Sequence, residues 1–511
     1  MKLKNKYLYI SLLAVLGWNA ESTAQNGTRQ VPRLVVNITI DQLRSDFLEA
    51  YAPLYGEKGF KKLMAQGRVY ENASYPLIQT DRASAISTIL TGTVPYYHSI
   101  VGQSWINRET LRPQYCTEDN RQNGIVGPHH LAVSTLGDEM KVASGGKALV
   151  FAIAPFADAA VLSAGHAAEG ALWMDEQTGQ WVTSQYYSNE KPITSLGFNE
   201  LSQPSKNINK LRWVPFGQEK IFDFRHVFKG HKKYQEYQTS GLINDHVTDL
   251  ALTYVSQKGL GADSITDLLC LTYYAGTFKH QPVSKCQLEL KDTYLRLDQS
   301  IGTLISQLEE KIGEKEVLFV VASTGYSDPE LTDLSVYRIP TGTFYINRAA
   351  GLLNMYFGAV WGQGRYIEAC TDNQLYVNRK LLEQKRVALT DFGQRAREFL
   401  LQMEGVRNVY TALQLLSESN SQIAKVRNGF HPQHNGDILI EVNPGWHLQN
   451  EDTGEDRVSQ TSAIPFPIIL YGANIQPEQV NKLVTTDRIA PTLSRAIRIR
   501  APNACSSEPL F

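Results

Sequence analysis

The stretch LVVNITID, Leu34 to Asp41, constrains the fold more than any other part of the chain. Its largely apolar, β-branched run, Val35 to Ile40, reads as a strand buried in a parallel sheet. The run ends in Asp41 just before a helix start. In open α/β sheets ligands sit in the crevice outside the carboxyl ends of the strands, so Asp41 stands where a metal ligand or an acid/base residue would be placed. Runs of similar character recur at Lys147–Ile153, Asp267–Tyr274, Val317–Ala322 and Ile464–Tyr471. Between them lie helical patterns such as Asp292 to Lys311, with Leu295, Leu297, Ile301, Leu304, Ile305 and Leu308 along one face. Buried strands alternating with amphipathic helices imply an α/β fold, a doubly wound and mostly parallel sheet with helices on both faces. The Ser/Thr/Ala-rich segment from Thr80 to Thr91 suits a hydroxyl nucleophile at a helix N-terminus, where backbone N–H groups can hold a phosphate. Helix capping by the acid and close packing by the small residues account for the same features without chemistry.

A net charge of −1 gives no electrostatic footprint for nucleic acid. Lys2, Lys4 and Lys6 precede the apolar run Tyr7 to Trp18, and Ser22-Thr23-Ala24 supplies small residues, so residues 1–24 read as a secretory signal peptide. The remainder, 25–511, contains no segment long and apolar enough to span a bilayer, and the expected location is periplasmic or extracellular, at the cell surface. Five cysteines leave at least one thiol unpaired within the chain; Cys116 with another loop cysteine could form a bridge. Two stretches break the strand–helix alternation. Residues 173–231, rich in Tyr, Trp, Asn and Pro, read as an insertion, and residues 335–445 read as a cap subdomain with a return strand within Asn435 to Trp446.

Asp41-Gln42 after the first strand, GFKKLMAQGRVYENASY from Gly59 and TGTVPYYHSIVG from Thr91 resemble the alkaline phosphatase superfamily. Further matching stretches are LGDEMKVAS from Leu136, SAGHAAEGALWMDEQTGQWVTSQYY from Ser163, DTYLRLDQSIGTLI from Asp292 and TTDRIAPTLSRAIRIRAPN from Thr485. The resemblance is to the phosphate-irrepressible alkaline phosphatases and the related type I phosphodiesterase/nucleotide pyrophosphatase branch, and it runs from about Arg33 to the C-terminus. It implies an alkaline-phosphatase-like core with an inserted cap, and two zinc ions held by aspartates and histidines that activate a Thr or Ser nucleophile. A two-metal clamp lowers the pKa of the hydroxyl and stabilises both the attacking and the leaving oxygen.

Placed on that pattern, the site departs from it at nearly every position. The first aspartate is Asp41, but the nucleophile falls on Arg82, flanked by the hydroxyls of Thr80 and Ser84. The oxyanion Asn becomes Gln103, and the Lys-x-Arg pair that contacts phosphate becomes Phe156 and Asp158. The second metal group falls on Thr277 and Gln281, with His280 adjacent; the Asp-His pair falls on Ser323 and Thr324, and the last histidine on Pro465. One carboxylate does not make a zinc site, so Asp41 is a vestigial ligand and no cofactor is expected. The His431-x-x-His434 pair sits in a Pro/Gly-rich loop, and His129-His130 reads as structural.

The reading that follows weighs against an enzyme. It is an exported pseudo-phosphatase acting as a binding or scaffold component of the cell envelope, with an envelope protein as partner. The alternative is an active phosphomonoester or phosphodiester hydrolase with a non-standard site, using Thr80 or Ser84, with His280 recruited, and zinc as its cofactor.

Overall fold

The computed structural model describes residues 30–511 apart from 120–124, 188–203, 218–222, 329–337, 419 and 460–463; the signal-peptide reading of residues 1–24 lies outside the described residues. The core is a ten-stranded mixed sheet. Its strands are β1 (Leu34–Asp41), β2 (Arg68–Ser74), β3 (Val150–Ala154), β4 (Gly170–Met174), β5 (Trp181–Val182), β6 (Asp267–Tyr274) and β7 (Val317–Ser323). An outer lobe contributes β8 (Ile367–Thr371), β9 (Gln374–Val377), β10 (Val406–Thr411), β11 (Ile438–Val442) and β12 (Glu455–Val458), after which the chain returns to the core as β13 (Phe466–Gly472), β14 (Glu478–Val480) and β15 (Val484–Thr485). The core order is β14-β2-β13-β7-β1-β6-β3-β4-β5, with β15 also on β2.

β1 is central and pairs in parallel with β6 and β7, so that Asp41 lies level with Tyr274, and Ile40 with Ser323. The carboxyl ends of three strands therefore open onto one crevice. β13 runs antiparallel to β7.

Every residue of β1 is buried, the polar Asn37, Thr39 and Asp41 included. Leu34, Val36, Ile38 and Ile40 face the side covered by α4 (Leu242–Lys258) and α5 (Gln287–Ile312), where Leu297, Ile301, Leu304 and Leu308 pack. Val35 faces the other side with Leu268, Cys270, Leu318 and Val320, covered by α1 (Arg82–Thr91), α2 (Leu136–Ala143) and α3 (Ala157–Ala164). Each fully buried Leu, Ile or Val stabilises this arrangement by about 1.5–3 kcal/mol relative to exposure.

The outer lobe has its own core. An antiparallel sheet of order β8-β9-β11-β10 packs with α6 (Ile346–Trp361) and α7 (Leu389–Leu400) around Leu353, Phe357, Phe392 and Ile438. The five cysteines are free thiols, and the bridge considered for Cys116 does not form; Cys116 is packed within the core. No helix among the described residues is long and apolar enough to cross a membrane.

Candidate active site

The crevice begins with the N-terminus of α1. Asp81 caps this helix: one carboxylate oxygen accepts the Ser84 N–H at 2.9 Å, and the Ser84 hydroxyl reaches back to Asp81, a capping box worth about 1 kcal/mol. The other oxygen accepts the backbone N–H of Gln103. Ser84 is thus a buried capping residue with its hydroxyl engaged. Thr80, one residue before the cap, lines an open cleft instead.

The cap directs the first residue of the helix, Arg82, into the crevice. Its guanidinium is bonded to both oxygens of Asp158 at 3.1 Å through Nε and to Asp41 Oδ2 at 3.2 Å through Nη1. The ring of Phe156 lies 3.8 Å beneath it, and Gln103 Nε2 donates to Asp158 at 2.9 Å. Asp41 is fully buried, and its other oxygen accepts the Thr324 hydroxyl at 2.9 Å. Burial pushes the Asp41 carboxyl upward, against the opposing pull of Arg82, Thr324 and Tyr326. Ser323 is turned away to the Leu43 carbonyl, Gln281 is exposed, and Pro465 offers only its carbonyl, to the Ser45 N–H.

On the β6 side stands a second group. His280 Nδ1 lies 3.0 and 3.1 Å from the two oxygens of Asp328, and the Thr277 hydroxyl donates to the same carboxylate at 2.9 Å. The backbone N–H of Asp328 donates to Gln42 Oε1, tying this group to the end of β1. With 53% of its side chain exposed, His280 is reachable from solvent. The hydrogen bond to Asp328 raises its pKa above the ordinary 6.5. Lys279 and His280 both adopt left-handed backbone, with φ of 57° and 53°, as does Gln42 at 63°. Such a conformation costs a non-glycine residue about 1–2 kcal/mol and collects where the surroundings over-determine a site.

The set does not fit two zinc ions. Both Asp41 oxygens are engaged, and among the described residues no group of three or more His, Cys, Asp or Glu side chains could hold a metal.

A cleft of about 320 Å³ separates the crevice from the outer lobe. Thr80, Gln103 and Trp105 line one wall and Lys425, Glu441 and Arg457 the other. Below it, a histidine-rich joint locks the lobes together. Trp105 stacks on His434 at 4.2 Å and meets the edge of His130 at 5.2 Å. His434 Nδ1 donates to the Ser99 carbonyl at 2.7 Å. Burial lowers the pKa of His434 to about 4 and that of His98, behind it, to about 3. Asp437, only 2% exposed, accepts from Arg108, Arg379 and the Val377 N–H. Sequence marks His434 as part of a loop pair and His130 as structural, but not their meeting at Trp105, and it does not mark Asp328. Asp328 is 48 residues from His280, and no local pattern pairs them.

An open sheet of this order, with its charged crevice at the ends of β1, β6 and β7, is that of the alkaline phosphatase superfamily. The chain belongs to the type I phosphodiesterase / nucleotide pyrophosphatase family, whose model matches residues 35–463. It is 26% identical to alkaline phosphatase PafA of Elizabethkingia meningoseptica, a match covering 98% of each chain. It is also 26% identical to alkaline phosphatase PhoV of Synechococcus elongatus, over 92% of this chain and 91% of that one. The crystal structure of wild-type PafA superposes with a TM-score of 0.78 at 24% identity, covering 94% of this chain and 98% of the other. These relatives overturn the expectation that the chain is not an enzyme: proteins similar to it over nearly their whole length are named as alkaline phosphatases, which points to an enzyme.

Proposed function

We propose that the chain is an exported phosphate-ester hydrolase that uses the His280–Asp328 pair for proton transfer and favours diesters over monoesters. The observation that carries this reading is the half-exposed imidazole with one nitrogen held by a partly buried carboxylate. Asp328 accepts from Nδ1, which leaves Nε2 as the basic nitrogen of the neutral ring and fixes its orientation. His280 takes a proton from an attacking water, an oxygen–phosphorus bond forms, the bond to the alcohol breaks, and the proton passes to the departing alkoxide. The carboxylates of Asp41 and Asp158 share the guanidinium of Arg82, and Asp328 adds a further carboxylate beside His280, a field that disfavours a monoester dianion more than a diester monoanion. The Thr80 hydroxyl faces the cleft toward the outer lobe, which is large enough to seat the alcohol part of the ester.

The test is turnover of bis(p-nitrophenyl) phosphate and p-nitrophenyl phosphate by the full chain, with and without EDTA. Faster hydrolysis of the diester, insensitive to EDTA and lost in His280→Ala, is expected; no hydrolysis of either ester would overturn the reading. A second role, favoured by the polar cleft between the lobes, is the seating of an envelope protein segment against Trp105, Lys425 and Arg457. Binding that is lost in Lys425→Ala while ester turnover persists would separate the two roles.

A further inference from the structure

We infer that the guanidinium of Arg82 is the resident cation of the crevice, holding Asp41 and Asp158 in the manner of a metal ion and keeping divalent cations out. The inference is independent of whether the chain turns over an ester, since it concerns only who neutralises these two carboxylates.

The geometry is specific. Asp41 sits on β1 and Asp158 on α3, 117 positions apart in sequence, and the described contacts that join their side chains pass through Arg82. All three side chains are nearly sealed from water, with exposures of 0% for Asp41, 8% for Asp158 and 11% for Arg82. Two buried carboxylates without a cation between them would be strongly destabilising, because removing one partner of a buried ionic group leaves an uncompensated charge. The rest of the site completes the enclosure. Phe156 covers one face of the guanidinium, an interaction that a planar delocalised cation makes and a hydrated divalent ion does not. Thr324 donates to the remaining oxygen of Asp41, and Gln103 to Asp158, so each carboxylate has a second hydrogen-bond donor. Arg82 is anchored in turn by the capping box that starts its helix, so the cation is covalently tethered at the correct place. A charge fixed by the backbone is not lost on dilution or chelation, as a bound metal would be.

The experiment uses thermal melting of the full chain with manganese, zinc or guanidinium, each at low millimolar concentration against sodium chloride of matched ionic strength. Wild-type protein is expected to show no shift with any of them. Arg82→Ala is expected to melt about 5 °C lower and to be restored by manganese or guanidinium but not by sodium. Arg82→Ala combined with Asp158→Asn should regain most of the loss and no longer respond to added cations. Should Arg82→Ala fail to fold, Arg82→Lys keeps the charge without the fork: it should melt between the two and remain indifferent to divalent ions. A wild-type shift with manganese or zinc, an Arg82→Ala protein as stable as wild type, or a double variant no better than the single one would each overturn the inference. None of these readouts depends on hydrolysis, so a chain inactive on esters leaves the inference standing, and a failed melting test leaves the His280 reading standing.

Discussion

The crevice and the joint between the lobes both bring titratable groups out of water, yet they do so in opposite ways. In the crevice the groups are paired with partners of opposite charge tendency: Arg82 with Asp41 and Asp158, and His280 with Asp328, which raises the pKa of the ring. In the joint the histidines are held uncharged, His434 against Trp105 and His98 beneath it. The first arrangement favours the protonated ring, the second the neutral one. The lesson is that burial alone does not set the sign of a histidine's response to pH; the partner at hydrogen-bond distance does.

The largest effect should come from removing the proton carrier. His280→Ala is expected to lower diester turnover by about 10²–10⁴-fold. Asp328→Asn should lower it as well and also remove the upward displacement of the pH–rate profile. In the wild type the rate should rise with pH through a value above 6.5, as the imidazole loses its proton. A profile rising below 6.5 would break the comparison.

Next is Asp437→Ala, which leaves the largely buried Arg108 without its carboxylate, while the half-exposed Arg379 turns to water, and should cost about 3 kcal/mol. Its loss should separate the melting of the outer lobe from that of the core in calorimetry, and expose the joint to limited proteolysis.

The pH dependence of stability sharpens the contrast further. His98 and His434 have folded pKa values of about 3 and about 4, below the ordinary 6.5, so the unfolded chain takes up protons first. Their contribution is intact above pH 6.5 and falls as the pH drops toward 4, by about 1.4 kcal/mol per pH unit for each ring. For His280 the sign reverses. Its contribution is full below 6.5 and is lost as the pH rises through its raised value. Urea unfolding of His434→Gln between pH 4 and 7 should show a shallower acid slope than wild type. An unchanged slope would remove His434 as its source. The smallest effect is expected at the helix cap, where Ser84→Ala should cost about 1 kcal/mol and leave turnover intact.

The sheet was legible because its strands are buried on both faces. β6 spans Asp267–Tyr274, the bounds its apolar run marks, and the helix expected over Asp292–Lys311 is the central part of α5. The run near Ile464 became β13, but an apolar run carries no direction, so its antiparallel pairing with β7 could not be read from it. The crevice was legible position by position and not as a device. Arg82, Phe156 and Asp158 each stood out as departures, but that they meet around one guanidinium depends on three chain segments converging. The inference from those departures to a chain that is not an enzyme is overturned by whole-length similarity to proteins named as alkaline phosphatases, which the single site positions did not weigh; the pairing of Asp328 with His280 has no sequence signal, since the two lie 48 residues apart.

The left-handed backbone at Lys279 and His280 has a consequence for how this chain can vary. Replacement of Lys279 by glycine relieves the left-handed strain but loses the ion pair with Glu236 and adds unfolded-chain entropy, so stability should change by no more than about 1 kcal/mol. A single substitution at position 279 is thus close to neutral in folding energy. Among natural variants of this chain, glycine or asparagine there would mark lineages in which random drift has been free to act, and a retained lysine would mark those in which the placement of the neighbouring imidazole is still under selection.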